Sequence, residues 1–238
     1  MNIGIIGYGK MGQAIATIAE QRGHRITGKI DIDNKHTLKT WSSDQMDAAI
    51  EFTAPDQAYD NIKQCIELGI PVVSGTTGWL ENKHKIDRFC REQDGTYFYA
   101  SNYSLGVNIT FKVNSFLARI MNAYPDFQVS MDETHHNQKK DAPSGTAITL
   151  AEGIINEIDR ITEWELGSTA RTGALPIQSY REGTVPGTHT VRYLSDYDEI
   201  TLQHKALNRT GFAMGAVLVT EWIQNRKGIL TMDDFLDL

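Results

Sequence analysis

The sequence predicts an α/β protein with two parts, an N-terminal Rossmann-like, doubly wound parallel sheet and a following α+β domain. Three observations predict this fold class. A glycine-rich motif separates an apolar strand from an amphipathic helix at the start of the chain. Strands and helices then alternate as far as Ser104, which is typical of a doubly wound sheet. Later segments instead alternate apolar and polar residues with period two, as half-exposed strands do.

The first elements form a βαβ unit. The apolar run at residues 2–7 predicts a buried parallel strand, and residues 10–23 have helical apolar spacing that stops at Gly23. Residues 24–31 predict the second strand, parallel to the first by right-handed connection.

The turn inside this unit carries a G-x-G-x-x-G motif, formed by Gly7, Gly9 and Gly12. Gly7 permits a tight turn, Gly9 lets the backbone approach a pyrophosphate, and Gly12 lets helix and strand pack closely. The helix N-terminus adds N–H donors and partial positive charge. An ordinary tight turn is the alternative, but the position between strand and helix favours dinucleotide binding.

An acidic residue about 20 positions further on is expected to bond the ribose 2′-hydroxyl. Asp31 ends the second predicted strand, Asp33 is an alternative, and either residue also fits a plain turn. No arginine follows Asp31 directly, which favours NADH over NADPH as the cofactor. Lys29 and Lys35 can nevertheless neutralise a 2′-phosphate.

The remaining elements follow the same two patterns. Loops 74–78 and 100–104 follow predicted strand ends, where ligands bind in open α/β sheets, although plain surface turns would look similar. In the first half, strands are predicted at 47–55, 70–78 and 96–104, and helices at 56–69 and 81–93. In the second half, helices are predicted at 106–125, 144–158 and 211–225, with a strand at 126–136 and three strands between residues 178 and 207.

Composition excludes several partner classes. The 238 residues are 40% hydrophobic and 22% charged, with a net charge of −7, so neither nucleic acid nor an anionic membrane is an expected partner. No run approaches the roughly 20 apolar residues of a membrane span, and no signal-peptide pattern is seen. Cys65 and Cys90 lie in helix-like segments, which predicts reduced thiols in a cytoplasmic protein, with a disulfide as the alternative.

Residues 133–147, ETHHNQKKDAPSGTA, concentrate potential cations just before a predicted helix. This segment, together with GYGKMG, SGTTG, ASNYSLGVN and HKALNRTGFAMGA in the same order, resembles the 4-hydroxy-tetrahydrodipicolinate (dihydrodipicolinate) reductase family. The resemblance spans nearly the whole chain, and its most specific part is H-H-x-x-K-x-D-A-P-S-G-T-A. It implies NAD(P)H-dependent reduction of 4-hydroxy-tetrahydrodipicolinate in the diaminopimelate route to lysine.

The resemblance also implies a division of the chain and roles for its residues. Residues 1–104 and 209–238 would bind the dinucleotide, and residues 105–208 would bind substrate and form a homotetramer. His135 resembles the proton donor/acceptor and Lys139 a second proton donor, while His136, Gly145 and Thr146 resemble substrate-binding residues. The implied cofactor contacts are Gly7, Tyr8, Gly9, Lys10, Met11, Gly12, Asp31, Gly75, Thr76, Thr77, Ala100, Ser101, Asn102 and Tyr103.

The implied substrate, a small dicarboxylate, explains the cations of this segment. A dianion needs local charge in an acidic chain, and Lys139 with the histidines can provide charge-assisted hydrogen bonds. The helix opened by residues 143–146 can hold a carboxylate on its free N–H groups. A histidine or lysine beside the reduced carbon can act as general acid. We expect no metal site, and we expect structural roles for His189, His204 and Arg209.

Two other classes of function, another dehydrogenase and a regulator, compete with the reductase. An aspartate-semialdehyde-type dehydrogenase would need a nucleophilic cysteine, and neither Cys65 nor Cys90 lies in a glycine-rich strand-end loop; a homoserine-type dehydrogenase is a further alternative. A dinucleotide-sensing regulator would need a basic DNA-binding module, and none is visible. A regulator would also leave His135 and Lys139 unexplained.

Overall fold

The computed structural model describes residues 1–208 and 210–237. The chain divides into two compact units, here called unit 1 (Met1–Leu105 with Thr210–Leu238) and unit 2 (Gly106–Arg209). The strands are β1 (Asn2–Ile6), β2 (Arg25–Ile30), β3 (Ala48–Glu51), β4 (Val72–Ser74), β5 (Thr96–Tyr99), β6 (Gln128–His135), β7 (Glu163–Leu166), β8 (Ala174–Arg181), β9 (Thr188–Leu194), β10 (Glu199–Lys205) and β11 (Gly228–Leu230). The α-helices are α1 (Lys10–Gln21), α2 (Pro55–Glu67), α3 (Lys83–Glu92), α4 (Leu105–Met121), α5 (Gly145–Ile155), α6 (Thr210–Trp222) and α7 (Met232–Leu236), and two 3₁₀ segments span Ile32–Thr40 and Leu80–Asn82.

The described part of unit 1 contains a six-stranded parallel sheet in the order β11-β5-β4-β3-β1-β2. Its central strands are buried on both faces, which explains their continuous apolar sequences. One apolar core packs α1 and α6 against the sheet, and a second packs α2 and α3. The predicted doubly wound fold is confirmed. The edge strand β11 was not predicted from the sequence, because three residues are too few to show a period.

Unit 2 contains a mixed sheet in the order β10-β9-β6-β8-β7 within its described residues. The β10–β9 and β9–β6 pairs are antiparallel, whereas β6–β8 and β8–β7 are parallel. Apolar residues of α4 and α5 form its core with β6, β8 and β9. This arrangement confirms the predicted α+β class, and β7 is a strand that was not predicted from the sequence.

The prediction of one helix over residues 106–125 was wrong at its C-terminal end. Helix α4 stops at Met121, after which the N–H groups of Ala123 and Tyr124 bond carbonyl oxygens three residues back, as in turns. The Asn122 side chain bonds the backbone N–H and carboxylate of Asp159. Pro125 then prevents resumption of the helix. None of the helices in the described ranges is long and apolar enough to cross a membrane.

Candidate active site

A cavity of about 390 Å³ lies at the carboxyl end of the parallel sheet of unit 1. Its lining includes Gly7, Gly9 and Asp31, three of the predicted cofactor contacts, together with residues of the loop after β3. Ligands bind at this edge of open α/β sheets, where the strand order reverses, here between β1 and β3.

The glycine loop has the shape that a pyrophosphate requires. Gly7 has φ +91°, and a Cβ there would lie 2.0 Å from the carbonyl oxygen of Phe52. A Cβ on Gly12 would lie 2.1 Å from the carbonyl oxygen of Gly7, so helix and strand pack at backbone distance. A Cβ on Gly9 would meet nothing within 4 Å, and Gly9 is the residue before α1. The loop therefore fits a dinucleotide with its pyrophosphate at the start of α1.

The other predicted residues of this loop have distinct positions. Lys10 begins α1 and is exposed, whereas Met11 packs against the apolar core. The Tyr8 ring is half-buried, and the ammonium nitrogen of Lys29 lies 4.5 Å from its centroid. This contact directs Lys29 toward Tyr8.

Asp31 is exposed at the end of β2, and its carboxylate accepts a hydrogen bond from the Ile32 N–H at 2.9 Å. Lys35 lines the same cavity as Asp31. Neither Lys29 nor Asp33 is among the described lining residues of this cavity. The charged residues of the described lining are thus Asp31, Lys35 and Asp56, of which Asp31 and Lys35 follow β2, where a ribose is expected.

The loops after β4 and β5 lie further along the same sheet edge. A Cβ on Gly75 would lie 2.2 Å from the Phe52 ring, so a larger residue at this position would have to displace that ring. Thr76 and Tyr103 are buried and hydrogen-bonded within the protein, to the Glu51 carboxylate and the Ser74 carbonyl oxygen respectively. The hydroxyl protons of both side chains are therefore already used in hydrogen bonds within the protein. The remaining predicted residues there are Thr77 and Ser101, which are exposed, Asn102, which is half-buried, and Ala100, which is buried.

Strand β6 of unit 2 places an acid and a histidine on one face. Its residues alternate between buried and half-exposed, and Val129 and Met131 share the buried face with Glu133 and His135. Glu133 is 0% exposed and His135 is 7% exposed. Because of this alternation, two ionisable side chains lie on the buried face of β6, at its C-terminal end.

Glu133 is the centre of a hydrogen-bond network. Its carboxylate accepts from the Ser144 N–H at 3.1 Å, from the Ser179 hydroxyl at 2.8 Å, and from the Arg181 guanidinium at 3.4 Å. The His135 Nδ1 lies 3.4 Å from the carboxylate without hydrogen-bond geometry, and the His189 Nε2 lies 3.7 Å away. One buried carboxylate thus connects three strands with the start of α5.

Burial and hydrogen bonding set the protonation of this network. Burial alone would raise the pKa of Glu133, but hydrogen bonds from Ser144 and Ser179 outweigh it and lower the pKa. Burial lowers the pKa of His135 below its ordinary value, although Glu133 opposes this effect. Burial also lowers the pKa of His189, to about 4. At neutral pH the acid is therefore ionised and both imidazoles are mostly neutral.

The loop after β6 carries Lys139, whose ammonium donates to the Asp141 carboxylate at 2.8 Å. Arg181, at the end of β8, donates to the carbonyl oxygens of both Lys139 and Asp141. Arg181 also lies directly opposite His135 in the β6–β8 register. The same guanidinium therefore contacts Glu133 and fixes the backbone on both sides of residue 140.

Helix α5 begins immediately after the Ser144 cap, whose hydroxyl accepts from the Ala147 N–H at 3.2 Å. No hydrogen bond within the described residues uses the N–H groups of Gly145 or Thr146. A Cβ on Gly145 would meet nothing within 4 Å. Two donors at this helix N-terminus thus have no acceptor among the described residues.

His136 is half-exposed and points away from the buried face of β6. It lines a second cavity, of about 430 Å³, with Asn137, Gln138, Gly183, Thr184 and Pro186.

Glu133 and Arg181 were not predicted as site residues, and His189 was expected to have a structural role. The His189 Nε2 lies 3.1 Å from the Ser144 hydroxyl, and its ring centroid lies 5.0 Å from that of His135. The available signal was a glutamate at a buried position of an alternating strand. His204 lies on β10, and Arg209 is outside the described residues.

Glu133, His135 and His189 have ligand atoms within 4.8 Å of one another, close enough to hold a metal ion. The carboxylate already accepts from Ser144, Ser179 and the cationic Arg181. Because a guanidinium beside the carboxylate repels a metal cation, we interpret the cluster as a hydrogen-bond network.

The two units together define a class of protein. Unit 1 has the sheet-end cavity and glycine loop of a dinucleotide-binding domain, and unit 2 gathers cations and free N–H groups suited to an anion. These features define a dinucleotide-dependent oxidoreductase that acts on an anionic small molecule.

Comparison with known proteins identifies the family. The family models described as dihydrodipicolinate reductase, N-terminus, and dihydrodipicolinate reductase, C-terminus, match residues 1–103 and 106–236. A 4-hydroxy-tetrahydrodipicolinate reductase from Christiangramia forsetii is 46% identical over 99% of this chain and 98% of the relative. Another from Methanospirillum hungatei is 32% identical over 97% and 96%. The structure of dipicolinate-bound dihydrodipicolinate reductase from Paenisporosarcina sp. TG-14 has the same fold, with TM-score 0.78, 20% identity and 99% coverage of both chains.

The chain therefore belongs to the dihydrodipicolinate reductase family. The family, function and enzyme class predicted from the sequence are confirmed: this is an oxidoreductase of the diaminopimelate route to lysine. Membership of this family implies NAD(P)H as the cofactor.

Proposed function

We propose that the end of β6 and the start of α5 bind the dianionic substrate, 4-hydroxy-tetrahydrodipicolinate. The observation that carries this proposal is the pair of unused N–H groups at Gly145 and Thr146, because each can donate to a carboxylate oxygen. His136 and Lys139 add charge-assisted hydrogen bonds. The dipicolinate in the related structure supports a cyclic dicarboxylate as ligand.

A bound reduced nicotinamide supplies the hydride, and the protein supplies the proton. His135 acts as the proton donor/acceptor, and Lys139 acts as a second donor. Because burial lowers the pKa of His135, its imidazole is mostly neutral before substrate arrives. A dicarboxylate placed beside it favours the imidazolium, so substrate binding itself loads this acid with a proton. The Arg181 guanidinium fixes the backbone of Lys139 by donating a hydrogen bond to its carbonyl oxygen.

We assign NADH as the preferred cofactor. The support is the exposed carboxylate of Asp31 at the end of β2, which suits a ribose 2′-hydroxyl and repels a 2′-phosphate. Lys35 lines the same cavity and reduces this repulsion, so we expect discrimination by a modest factor. Tyr8, Lys10, Gly75 and Ser101 are proposed cofactor contacts on the same grounds of position.

We assign assembly as a homotetramer to surfaces of unit 2. Large apolar side chains are exposed along one side of α4, at Ile109, Val113, Phe116 and Ile120, which follow helical spacing. Light scattering during gel filtration should give about four times 26.7 kDa. A mass of 26.7 kDa at micromolar concentration would exclude this assembly.

We assign a cytoplasmic setting. Cys65 and Cys90 are free and buried, and burial raises the pKa of each thiol, which suits unreactive reduced cysteines. Fractionation of the native cell followed by immunoblotting tests this assignment, and recovery in a membrane or extracellular fraction would contradict it.

The deciding experiment for the residue roles is NADH and NADPH oxidation with substrate generated in place from pyruvate and aspartate semialdehyde by the preceding synthase. Lys139→Met and His135→Gln should each reduce kcat by about 10²- to 10⁴-fold while leaving the Kd for NADH unchanged. Lys140→Met, an exposed neighbour, is the matched control and should retain activity. Full activity in both His135 and Lys139 variants would overturn the proposed roles.

A further inference from the structure

Unit 1 contains a buried carboxylate that the dinucleotide motif does not explain. Glu51 is the last residue of β3 and is 0% exposed, in a strand whose other residues, Ala48, Ala49 and Ile50, are apolar and buried. Burying a carboxylate costs several kcal/mol unless hydrogen bonds or opposite charges compensate it. A glutamate at such a position is therefore expected to have compensating partners and a specific role.

Hydroxyl and N–H groups satisfy this carboxylate. Its Oε1 accepts from the Thr76 hydroxyl at 2.8 Å, from the Thr53 N–H at 3.1 Å and from the Thr53 hydroxyl. Its Oε2 accepts from the Ser74 hydroxyl at 2.6 Å. Among the residues that the structure describes, no ion pair involves Glu51. The carboxylate thus has no cationic ion-pair partner among these residues, and only neutral groups donate hydrogen bonds to it.

These bonds tie together two loops at the ligand-binding edge of the sheet. Thr53 lies in the loop after β3, which lines the cavity, and Thr76 lies in the loop after β4. The two threonines also bond each other, from the Thr53 N–H to the Thr76 hydroxyl oxygen at 2.7 Å. The Tyr103 hydroxyl donates to the carbonyl oxygen of Ser74 at 2.6 Å. Glu51 therefore fixes one wall of the cavity from beneath.

The topology indicates which half of a dinucleotide meets this wall. The pyrophosphate belongs at the start of α1, which follows β1, and Asp31 at the end of β2 takes the adenosine ribose. Strands β2 and β3 flank β1 on opposite sides. The other half of the dinucleotide, which carries the nicotinamide, therefore extends over the ends of β3 and β4, where Glu51 lies.

The charge of the nicotinamide depends on its oxidation state. The reduced ring is neutral and the oxidised ring is a cation, so a nearby buried anion stabilises the oxidised form more than the reduced form. We propose that Glu51 is a positioning residue of the cofactor site that fixes the loops after β3 and β4 and, through its charge, favours the oxidised nicotinamide. Its field would then assist hydride departure. The proposal rests on the assignment of the dinucleotide to this cavity.

The test compares the affinities for NAD⁺ and NADH, measured by calorimetry and by NADH fluorescence, in Glu51→Gln. Glutamine keeps an acceptor for Thr53 and Thr76, and its amide can donate to the Ser74 hydroxyl, so the substitution removes mainly the charge. We expect the Kd for NAD⁺ to rise about five- to tenfold relative to that for NADH. Asp60→Asn, an exposed carboxylate on α2 outside the cavity lining, should leave both values unchanged.

Two further variants separate charge from packing. Glu51→Asp retains the charge and should retain the NAD⁺:NADH affinity ratio, even where both affinities fall. Thr76→Val retains the carboxylate but removes one donor, so both affinities should fall together. Thr76→Val also keeps the proposal testable where Glu51→Gln does not fold.

The outcomes distinguish the possible failures. An unchanged ratio in folded Glu51→Gln overturns the electrostatic role, and unchanged affinities in Thr76→Val overturn the positioning role. A changed ratio in Thr76→Val likewise contradicts the role assigned to charge. If the wild-type protein bound neither NAD⁺ nor NADH, the assignment of the cofactor to this cavity would fail instead.

Discussion

The two units each bury one glutamate at the end of a strand, but they surround it with different groups. Among the described residues, Glu51 in unit 1 accepts hydrogen bonds only from hydroxyl and backbone N–H groups. Glu133 in unit 2 also accepts from Ser144 and Ser179, but Arg181 and two histidines lie beside it. Both carboxylates are 0% exposed, so burial alone does not distinguish them.

The difference follows from the ligand proposed for each unit. A site for a dianion needs cations, and cations held close together repel one another unless a buried acid lies between them. A site for a nicotinamide gains from an uncompensated negative charge, because the oxidised ring is positive. In this proposal, Glu133 holds cations together in unit 2, whereas Glu51 provides a negative electrostatic potential in unit 1.

The largest expected effect comes from removing each carboxylate. Glu133→Ala should lower the free energy of unfolding by about 3–5 kcal/mol, because Arg181 loses its buried partner. Glu51→Ala should cost only about 1–3 kcal/mol, because hydroxyl groups can find other partners. Urea unfolding measures both values. Equal losses in the two variants would contradict the view that only Glu133 compensates a buried cation.

The pH dependence of stability tests the environment of the histidines. The pKa of His189 falls from 6.5 to about 4 in the folded protein, so the folded state binds fewer protons than the unfolded state between these values. Stability from this group is present above pH 6.5 and is lost as the pH falls toward 4, by about 3 kcal/mol at most. His189→Gln should weaken this dependence, and His36→Gln, an exposed control, should not. Parallel curves for wild type and His189→Gln would show that the imidazole is not buried as a neutral group.

Substitution of Arg181 tests whether the hydrogen-bond network around Glu133 holds Lys139 in position. Arg181→Met should reduce kcat/KM for substrate by about 10- to 100-fold, because the backbone carrying Lys139 loses its support. The Kd for NADH should stay unchanged. Arg171→Met, at an exposed arginine of the same unit, is the matched control. A loss of NADH affinity of similar size would show that the effect is general unfolding.

The smallest expected effect concerns cofactor choice in unit 1. Asp31→Ser should raise the NADPH:NADH ratio of kcat/KM by about tenfold, since it removes the repulsion of a 2′-phosphate and leaves Lys35 in place. Asp33→Ser should change the ratio less than twofold, which separates the two acids that the sequence left as alternatives. A larger effect at Asp33 would exchange their roles.

The sequence was most informative where a function uses neighbouring residues. The glycine loop and the segment from His135 to Thr146 are contiguous, so spacing and resemblance were enough to predict them. Arg181 could not be found this way, because it lies 48 residues from Glu133 and reaches it only through the β6–β8 pairing. The same holds for His189, which β9 places opposite Glu133.

The fold shows a similar limit. Long elements with clear periods, such as α1 and α5, were predicted to within a few residues. The strand β11 has three residues and joins the sheet only through its pairing with β5. The 3₁₀ segment Ile32–Thr40 depends on local capping by Asp31 and shows no apolar stripe. Short elements of this kind are specified by tertiary contacts, which a periodic pattern does not record.

The most direct test of the central claim is a crystal structure of the chain with NADH and a dicarboxylate substrate analogue. We predict one carboxylate at about 2.7–3.2 Å from the N–H groups of Gly145 and Thr146, with the Lys139 ammonium in contact with the analogue. The nicotinamide should lie over the ends of β3 and β4. A dicarboxylate bound away from Gly145 and Lys139 would contradict the proposed substrate site.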